Sequence, residues 1–403
     1  MSSKWFAPAL LLAAFTGWLT AVLFGDVTWL SATTKIIQDG FLAALKMIIA
    51  PLIFFSLIVG VLHLRSAGSM GRLGGVTVLY YLTTSGIAIV IGLVVVFFIH
   101  PWTDSPPLTD VPVVEAQLIN TQDGSVWALV GGIVTAMLSN PFTALAELNI
   151  LGILTSALLF GLAAAWVLPK DSPWPDMLQQ ITEVIFRVAV WILTLLPLGM
   201  FAIAFQLTDR IDFSTLVSLG QFAAVVFGAT AFHGLIVLPL LAWLLTGTPP
   251  QRLFPAIAQP LLTAFVTSSS AATLPLSMRA AEEKLHVHRD TAAFVLPLGA
   301  TVNMDGTALF EGVAVIFLAY MFSVPLTPAA IVLVFFVTML ASAGAPGIPS
   351  GSMAGLQIVL LAVGIPLEAI ALLLLIERPL DTFRTAVNVQ GDLIGSLVAE
   401  KYA

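Results

Sequence analysis

Near its C-terminus the chain carries Glu377, Asp381, Arg384, Thr385, Asn388 and Asp392 within an otherwise apolar region. On a helix, at 100° per residue, these six fall within an arc of about 100°, so they form one continuous polar stripe. Their chemistry divides cleanly. Asp381 is acceptor-only and suits an ammonium, while Arg384 offers a planar fork for a carboxylate. Asn388 both donates and accepts, so its amide can hold a second carboxylate. Together they complement a zwitterion that has an acidic side chain. Asp392, with Asn303 and Asp305 upstream, supplies hard oxygen donors of the kind that hold a hard cation. A structural ion-pair ladder, such as Asp381 with Arg384, is the plainer reading. It leaves the amide, the hydroxyl and the second carboxylate on that face unexplained.

The surroundings of the stripe set its meaning. Of 403 residues 59% are hydrophobic and 9% charged, too little polar surface to face water all round. Stretches of about 20 apolar residues recur, each enough to cross a bilayer as a helix. They fall at 5–25, 41–62, 75–100, 125–168, 179–206 and 215–246. The first is too long for a signal peptide's core and no small-residue cleavage site follows it, so it reads as a span. The fourth is too long for one straight crossing, and Pro141 near its middle marks a break. Basic residues alternate by side: Arg65, Arg72, Lys170 and Arg252 follow the second, fourth and sixth stretches, while loop 101–124 holds Asp104, Asp110, Glu115 and Asp123 and no Lys or Arg. The positive-inside rule then puts the N-terminus in the cytoplasm and that loop outside. Trp29, Trp102, Trp166 and Trp174 stand near span ends, where aromatic belts belong.

Beyond residue 250 the pattern changes. Segment 254–278 has basic residues at both ends and Thr267-Ser268-Ser269-Ser270 in its middle. That suits a hairpin which dips into the membrane from the cytoplasm and returns. Span 291–322 is interrupted by Asn303-Met304-Asp305-Gly306-Thr307, and 328–365 repeats the hairpin pattern around Ser342–Ser352. A final helix, 367–399, carries the stripe. Hairpin, interrupted helix, hairpin, polar helix is a weak inverted repeat. Discontinuous backbone at that depth survives only inside protein or beside a wet cavity, and it is the sequence pointer to a transporter's binding site.

Four runs, Ser268-Ser269-Ser270-Ala271-Ala272-Thr273-Leu274-Pro275, Asn303–Thr307, Gly344–Gly351 and Asp381–Asp392, together resemble the glutamate transporter family, the dicarboxylate/amino acid:cation symporters. Lys46–Gly60 and Tyr80–Ser85 look like its second and third helices. The resemblance implies an all-α membrane protein of eight spans and two re-entrant hairpins, a homotrimer, and an elevator mechanism. Residues 1–72 and 125–206 would form the scaffold. Residues 73–100 and 215–403 would form the moving transport domain. The substrate would be L-aspartate or L-glutamate, with Na+ as the transported coupling ion and both termini on the cytoplasmic side of the inner (plasma) membrane.

The resemblance also implies the ligands. Asp381 would hold the substrate amine and Arg384 the side-chain carboxylate, with Thr307 nearby. Asn388, Thr385 and the backbone around Ser269 and Ser270 would hold the α-carboxylate. One sodium would use Asn303, Asn388, Asp392 and the Gly299 carbonyl, and a second Tyr81, Thr84, Ser85, Asn303 and Asp305. A third would use carbonyls around Thr301 and across Ser342, Ala343 and Ala345. Family members for plain dicarboxylates lack the acid at Asp381, and those for neutral amino acids lack the arginine at Arg384. The arginine that archaeal members carry before the serines, or animal members after the last helix's aspartate, is here Ser268 or Thr382. Arg378, about 60° round the helix from Asp381, is the substitute at hand.

Other classes fit less well. A proton could replace sodium, and a C4-dicarboxylate could replace the amino acid. An intramembrane hydrolase would need a serine from 268–270 or Ser350 with His233, but no G-x-S-x-G elbow is present. A channel would line its pore with the same stripe. The 15 basic residues form no cluster, so nucleic acid is not a partner. The absence of cysteine excludes thiol chemistry, and His286 and His288 read as a solvated loop. The cysteine-free chain makes the topology directly testable. A cysteine at Leu326 should react with an impermeant thiol reagent from outside, and one at Lys284 should not. Labelling of both from one side would sink the inverted repeat.

Overall fold

The computed structural model describes residues 3–69, 71–104, 107, 131, 134–169, 172–208, 213–343, 351–374 and 376–403. The acids Asp110, Glu115 and Asp123, together with Lys170, Ala345 and the rest of the second hairpin's tip, lie outside them. Among the described residues the chain is helical throughout, with no strand. Helices α1 (Ser3–Phe24), α2 (Thr28–Ser69) and α3 (Arg72–Phe98) open it. The second apolar stretch begins at 41, but α2 starts at Thr28. The helix runs straight through Asp39-Gly40, and an exposed Lys35–Asp39 pair at 3.4 Å lies one turn apart on the added part.

The 125–168 stretch is broken, as Pro141 implies, into α4 (Pro141–Glu147) and α5 (Ile150–Val167). Asn140 and Asn149 cap the two, and Leu148 between them is left-handed. Helices α6 (Trp174–Thr194) and α7 (Leu196–Leu207) meet at a 49° bend, with Pro197 just inside α7. Helix α8 (Phe213–Phe232) passes through a π-helical segment, His233–Val237, into α9 (Leu238–Thr246).

The first hairpin is α10 (Pro250–Thr267) and α11 (Ser270–Glu283). Its reversal takes two residues. Ser268 ends α10 at φ 52°, and Ser269, extended, caps α11 by accepting from the Ala272 N–H at 3.1 Å. The tip serines 268–270 are all buried. Then come α12 (Arg289–Val302) and α13 (Asp305–Met321). The break between them is Asn303-Met304 alone, shorter than the five-residue interruption the sequence suggests. Asp305, Gly306 and Thr307 already form the first turn of α13. The second hairpin's arms are α14 (Pro328–Ala343) and α15 (Ser352–Ala362).

The final helix does not run 367–399. A 3-10 turn at Leu367–Ala369 and α16 (Ile370–Leu374) precede α17 (Glu377–Tyr402). Pro379 lies in the first turn of α17, where its missing N–H costs no helical hydrogen bond. Trp102 differs from the other three span-end tryptophans. Trp29, Trp166 and Trp174 are exposed, whereas Trp102 is 1% exposed and packs edge-on against Phe317 at 5.2 Å.

Four described helical runs are long and apolar enough to cross a bilayer, namely Thr28–Leu62, Arg72–Thr103, Phe213–Thr246 and Arg289–Met321. The bent pair α6–α7 makes a fifth if counted as one. The helices sort into two packing groups. α1, α5, α6 and α7 pack around α2 or each other, while α17 is surrounded by α3, α8, α9, α10, α11, α12 and α13. α17 and α13 cross closely at Gly306, where a Cβ would stand 2.6 Å from the Arg384 carbonyl oxygen and 2.8 Å from its Cα.

That crossing yields a stability test. Gly306→Ala places a methyl against backbone that cannot move aside, so unfolding in detergent should be easier by about 1–3 kcal/mol. Gly228→Ala, with nothing within 4 Å, should be neutral or gain up to about 1 kcal/mol from helix propensity. Equal melting temperatures for the two variants would mean that the close crossing does not constrain the fold.

Candidate functional site

The stripe residues of α17 from Glu377 to Asp392 are all buried, and each meets a partner from another broken element or from its own helix. Arg384 has no exposure. Its Nη2 lies within hydrogen-bond distance of Glu377 Oε1 at 2.9 Å, Asp381 Oδ1 at 3.0 Å and Ser352 Oγ at 2.8 Å, so its two N–H groups are shared among three acceptors. The guanidinium carbon lies 3.9 Å from the centre of the Phe310 ring, a cation–π contact strengthened by the lack of water. Arg384 Nε and Nη1 have no hydrogen-bond partner among the described residues. Asp381's other oxygen faces Arg378 Nη1 at 3.5 Å. Two acids and two guanidiniums therefore close one network.

One turn further on, Asn388 bridges the interruption between α12 and α13. Its Oδ1 accepts from the Gly306 N–H at 2.8 Å. Its Nδ2 reaches Thr307 Oγ1 and Met304 Sδ, each at 3.2 Å. The α13 N-terminus leaves backbone donors unpaired by the helix itself, and Asn388 satisfies one of them. Thr385 spends its hydroxyl hydrogen on the Asp381 carbonyl at 2.8 Å, which leaves its oxygen as an acceptor.

The oxygen donors expected for cations gather beside this. Asn303 donates to Asp392 Oδ1 at 3.0 Å and to the Asn388 carbonyl at 3.3 Å. Gly299 must lack a side chain: a Cβ there would lie 2.5 Å from both Asp392 Oδ1 and the Tyr81 hydroxyl. Gly299, Asn303, Asn388 and Asp392 thus form one cluster. Thr84 contacts Asn303 Oδ1 at 3.4 Å and Ser85 donates to Asp305 Oδ1 at 2.7 Å, which makes a second, adjoining one. Tyr81 stands between them, its hydroxyl donating to the Val295 carbonyl at 2.9 Å. The C-terminal carbonyls of α12 add partial negative charge where a cation would sit.

Other expected donors are less convergent. The Thr301 side chain is exposed and its hydroxyl is held by the Leu298 carbonyl at 3.0 Å. Ser342 is buried, its hydroxyl on the Met339 carbonyl at 3.2 Å, and Ala343 ends α14. Ala345 lies outside the described residues. Ser269 and Ser270 stand at the first hairpin's tip, and both of that hairpin's arms pack on α17.

Several residues in or beside the site escape a reading by spacing. Ser352 and Phe310 contact Arg384 from the second hairpin and from α13. His233 Nε2 lies 3.2 Å from Asp305 Oδ2, with both side chains fully buried. A hydrolase would pair that imidazole with a serine, and the structure gives it a carboxylate. Glu311 is fully buried, and neither oxygen has a hydrogen-bond partner among the described residues. A Cβ on Gly355 would fall on it. An acid deep in the apolar run of α13 is itself a signal that could have found Glu311.

A sequence profile described as the sodium:dicarboxylate symporter family matches residues 6–402. The chain is 34% identical over 404 residues to excitatory amino acid transporter 3 of Mus musculus, covering 89% of this chain and 77% of that protein. It is 31% identical over 453 residues to the Homo sapiens protein of the same name, covering 100% and 86%. It is 32% identical over 390 residues to the Homo sapiens neutral amino acid transporter B(0), covering 90% and 72%.

The Arg384 network can be tested without any solute. Arg384→Met strands two buried acids and should cost on the order of 3–5 kcal/mol. Glu377→Gln keeps a hydrogen-bond acceptor and should cost about 1–3 kcal/mol. Thermal unfolding of the singles and the double should show coupling of at least about 1 kcal/mol, and additivity within about 0.5 kcal/mol would mean the pair does not interact.

Proposed function

The chain belongs to the sodium:dicarboxylate symporter family, a family of multi-pass membrane transporters, and from that premise we propose that it is a secondary active symporter importing aspartate or glutamate together with sodium. The observation that carries the substrate is Arg384. It is a fully buried guanidinium whose Nε and Nη1 donors have no acceptor among the described residues. A buried charged donor left without an acceptor is unfavourable, so a solute carboxylate fits there. Asp381, touching Arg384 on the same wall, is the matching acceptor for an ammonium.

In this reading the solute substitutes for an internal pair. Its amine takes Asp381 from Arg384, and its side-chain carboxylate takes Arg384 from Asp381, while Glu377 stays behind as the arginine's resident partner. Thr307 lines the side-chain end. Asn388, the Thr385 oxygen and the backbone at Ser269 and Ser270 receive the α-carboxylate, helped by the positive end of α11. Sodium is cargo, bound by Gly299, Asn303, Asn388 and Asp392 and by Tyr81, Thr84, Ser85 and Asp305. Thr301, Ser342, Ala343 and Ala345 supply a third set. Hard carboxylate, amide and hydroxyl oxygens without a thiol suit such an ion. Cation and substrate are then linked, because Asn388 touches both sets and binding of each favours the other.

The architecture that goes with it is eight spans and two hairpins, with α3 and α8–α17 sliding as an elevator against α1, α2 and α4–α7. A homotrimer in the plasma membrane with cytoplasmic termini completes it. The two packing groups around α2 and around α17 support that division. A plain C4-dicarboxylate is disfavoured, since Asp381 would face its second carboxylate.

Competition uptake into liposomes tests the reading. Wild type should favour aspartate or glutamate over serine by at least about 100-fold, or 2.7 kcal/mol. Arg384→Thr should transfer preference to small neutral amino acids, with succinate poor in both proteins because Asp381 still demands an amine. Replacing sodium by choline at fixed pH should abolish uptake. Wild type preferring serine, or carrying succinate as well as aspartate, overturns the substrate assignment. Undiminished uptake in choline replaces sodium by a proton.

A further inference from the structure

The span from α8 to α9 holds a feature that the proposed site does not use. Between two regular helices the backbone widens into a π-helical turn at His233–Val237. Such turns are rare and are found frequently at functional sites. This one is seated on the polar helix. The Gly234 carbonyl accepts from Gln390 Nε2 of α17 at 2.7 Å. Gly234 has no room for a side chain, since a Cβ would stand 2.8 Å from Val387 Cγ2. Val387 and Gln390 flank Asn388 and precede Asp392, so the π turn touches α17 at the level of the cation donors.

The first residue of the turn is His233. Its Nε2 lies 3.2 Å from Asp305 Oδ2, and neither side chain has any exposure. Set against a carboxylate, which only accepts, the tautomer with hydrogen on Nε2 is the one that makes this contact. On the other side of the ring Nδ1 has no partner among the described residues. The imidazole therefore serves one acceptor. Asp305's remaining oxygen accepts from Ser85 Oγ at 2.7 Å. One donor on each oxygen fixes the carboxylate plane, whose torsion is otherwise broad and two-fold.

We propose that His233 is a positioning residue for cation coupling: the π turn in the α8–α9 span aims its Nε2–H at Asp305 and holds that carboxylate in the orientation a sodium ion needs. It contacts neither cation nor substrate. The inference rests on the sodium reading above. Partners that orient a ligand group from behind are generally worth on the order of 10–100-fold in ion affinity.

The test is the sodium dependence of aspartate binding to the purified full chain. His233→Leu should raise the half-saturating sodium concentration by about 10–100-fold, with binding capacity at saturating sodium retained. His233→Gln puts an amide N–H near the position of Nε2 and should return the midpoint to within about threefold of wild type. His233→Asn is too short to reach Asp305 and should behave like His233→Leu. A general packing role would not separate glutamine from asparagine in this way. If the leucine variant fails to fold, the contrast between glutamine and asparagine decides. Equal midpoints for those two, or an unshifted midpoint in a folded His233→Leu, overturn the proposal. A wild type indifferent to sodium overturns the coupling-ion reading beneath it, a result distinct from sodium-dependent binding that His233 does not affect.

Discussion

A buried guanidinium needs acceptors and counter-charge, and the polar stripe of α17 brings two carboxylates to one nitrogen of Arg384. Its partners come from separate places in the chain. Glu377 and Asp381 lie on its own helix, Ser352 begins an arm of the second hairpin, and Phe310 offers a ring face from α13. Each acid drawn in needs its own compensation, and Arg378 supplies it for Asp381. One buried cation thus joins three elements that sequence distance keeps apart. It also explains why an apolar region tolerates so many charges, which individually would be strongly unfavourable in a bilayer.

The interrupted backbones obey the same constraint. A helix that stops inside a membrane leaves carbonyls and N–H groups that lipid cannot satisfy. Here side chains of α17 take over that duty. Asn388 receives the Gly306 N–H at the start of α13, and Gln390 donates to the Gly234 carbonyl at the π turn. Small residues permit the approach, most plainly Gly306 against the Arg384 backbone and Gly299 against Asp392. The discontinuities and the polar helix are therefore complementary parts, and neither would be stable alone at that depth.

How much of this the sequence discloses depends on the range of the interaction. The common face of Asp381, Arg384, Asn388 and Asp392 follows from helical period alone, while the hairpin around Thr267–Ser270 and the interruption at Asn303–Thr307 follow from polar residues set within apolar segments, the interruption being narrower in the structure, at Asn303-Met304. The late start of α17 is not legible in the same way, because Pro51, Pro260 and Pro297 lie inside other helices and Pro379 alone does not mark an end. Nor is the contact of His233 with Asp305 legible, because 72 positions separate them and neither neighbourhood hints at the other. Trp102 and Trp166 stand alike at span ends, yet one is 1% and the other 89% exposed. Only tertiary packing decides between lipid and core at such a position.

The Arg384 network has a consequence for charge. Glu377 and Asp381 stand against Arg378 and Arg384, so their four formal charges sum to zero. A single ion buried by itself would be costly, and four buried together offset one another. Removing any one member therefore uncovers a net charge that the other three cannot absorb, which makes this short stretch of α17 intolerant of single charge changes and more tolerant of paired ones.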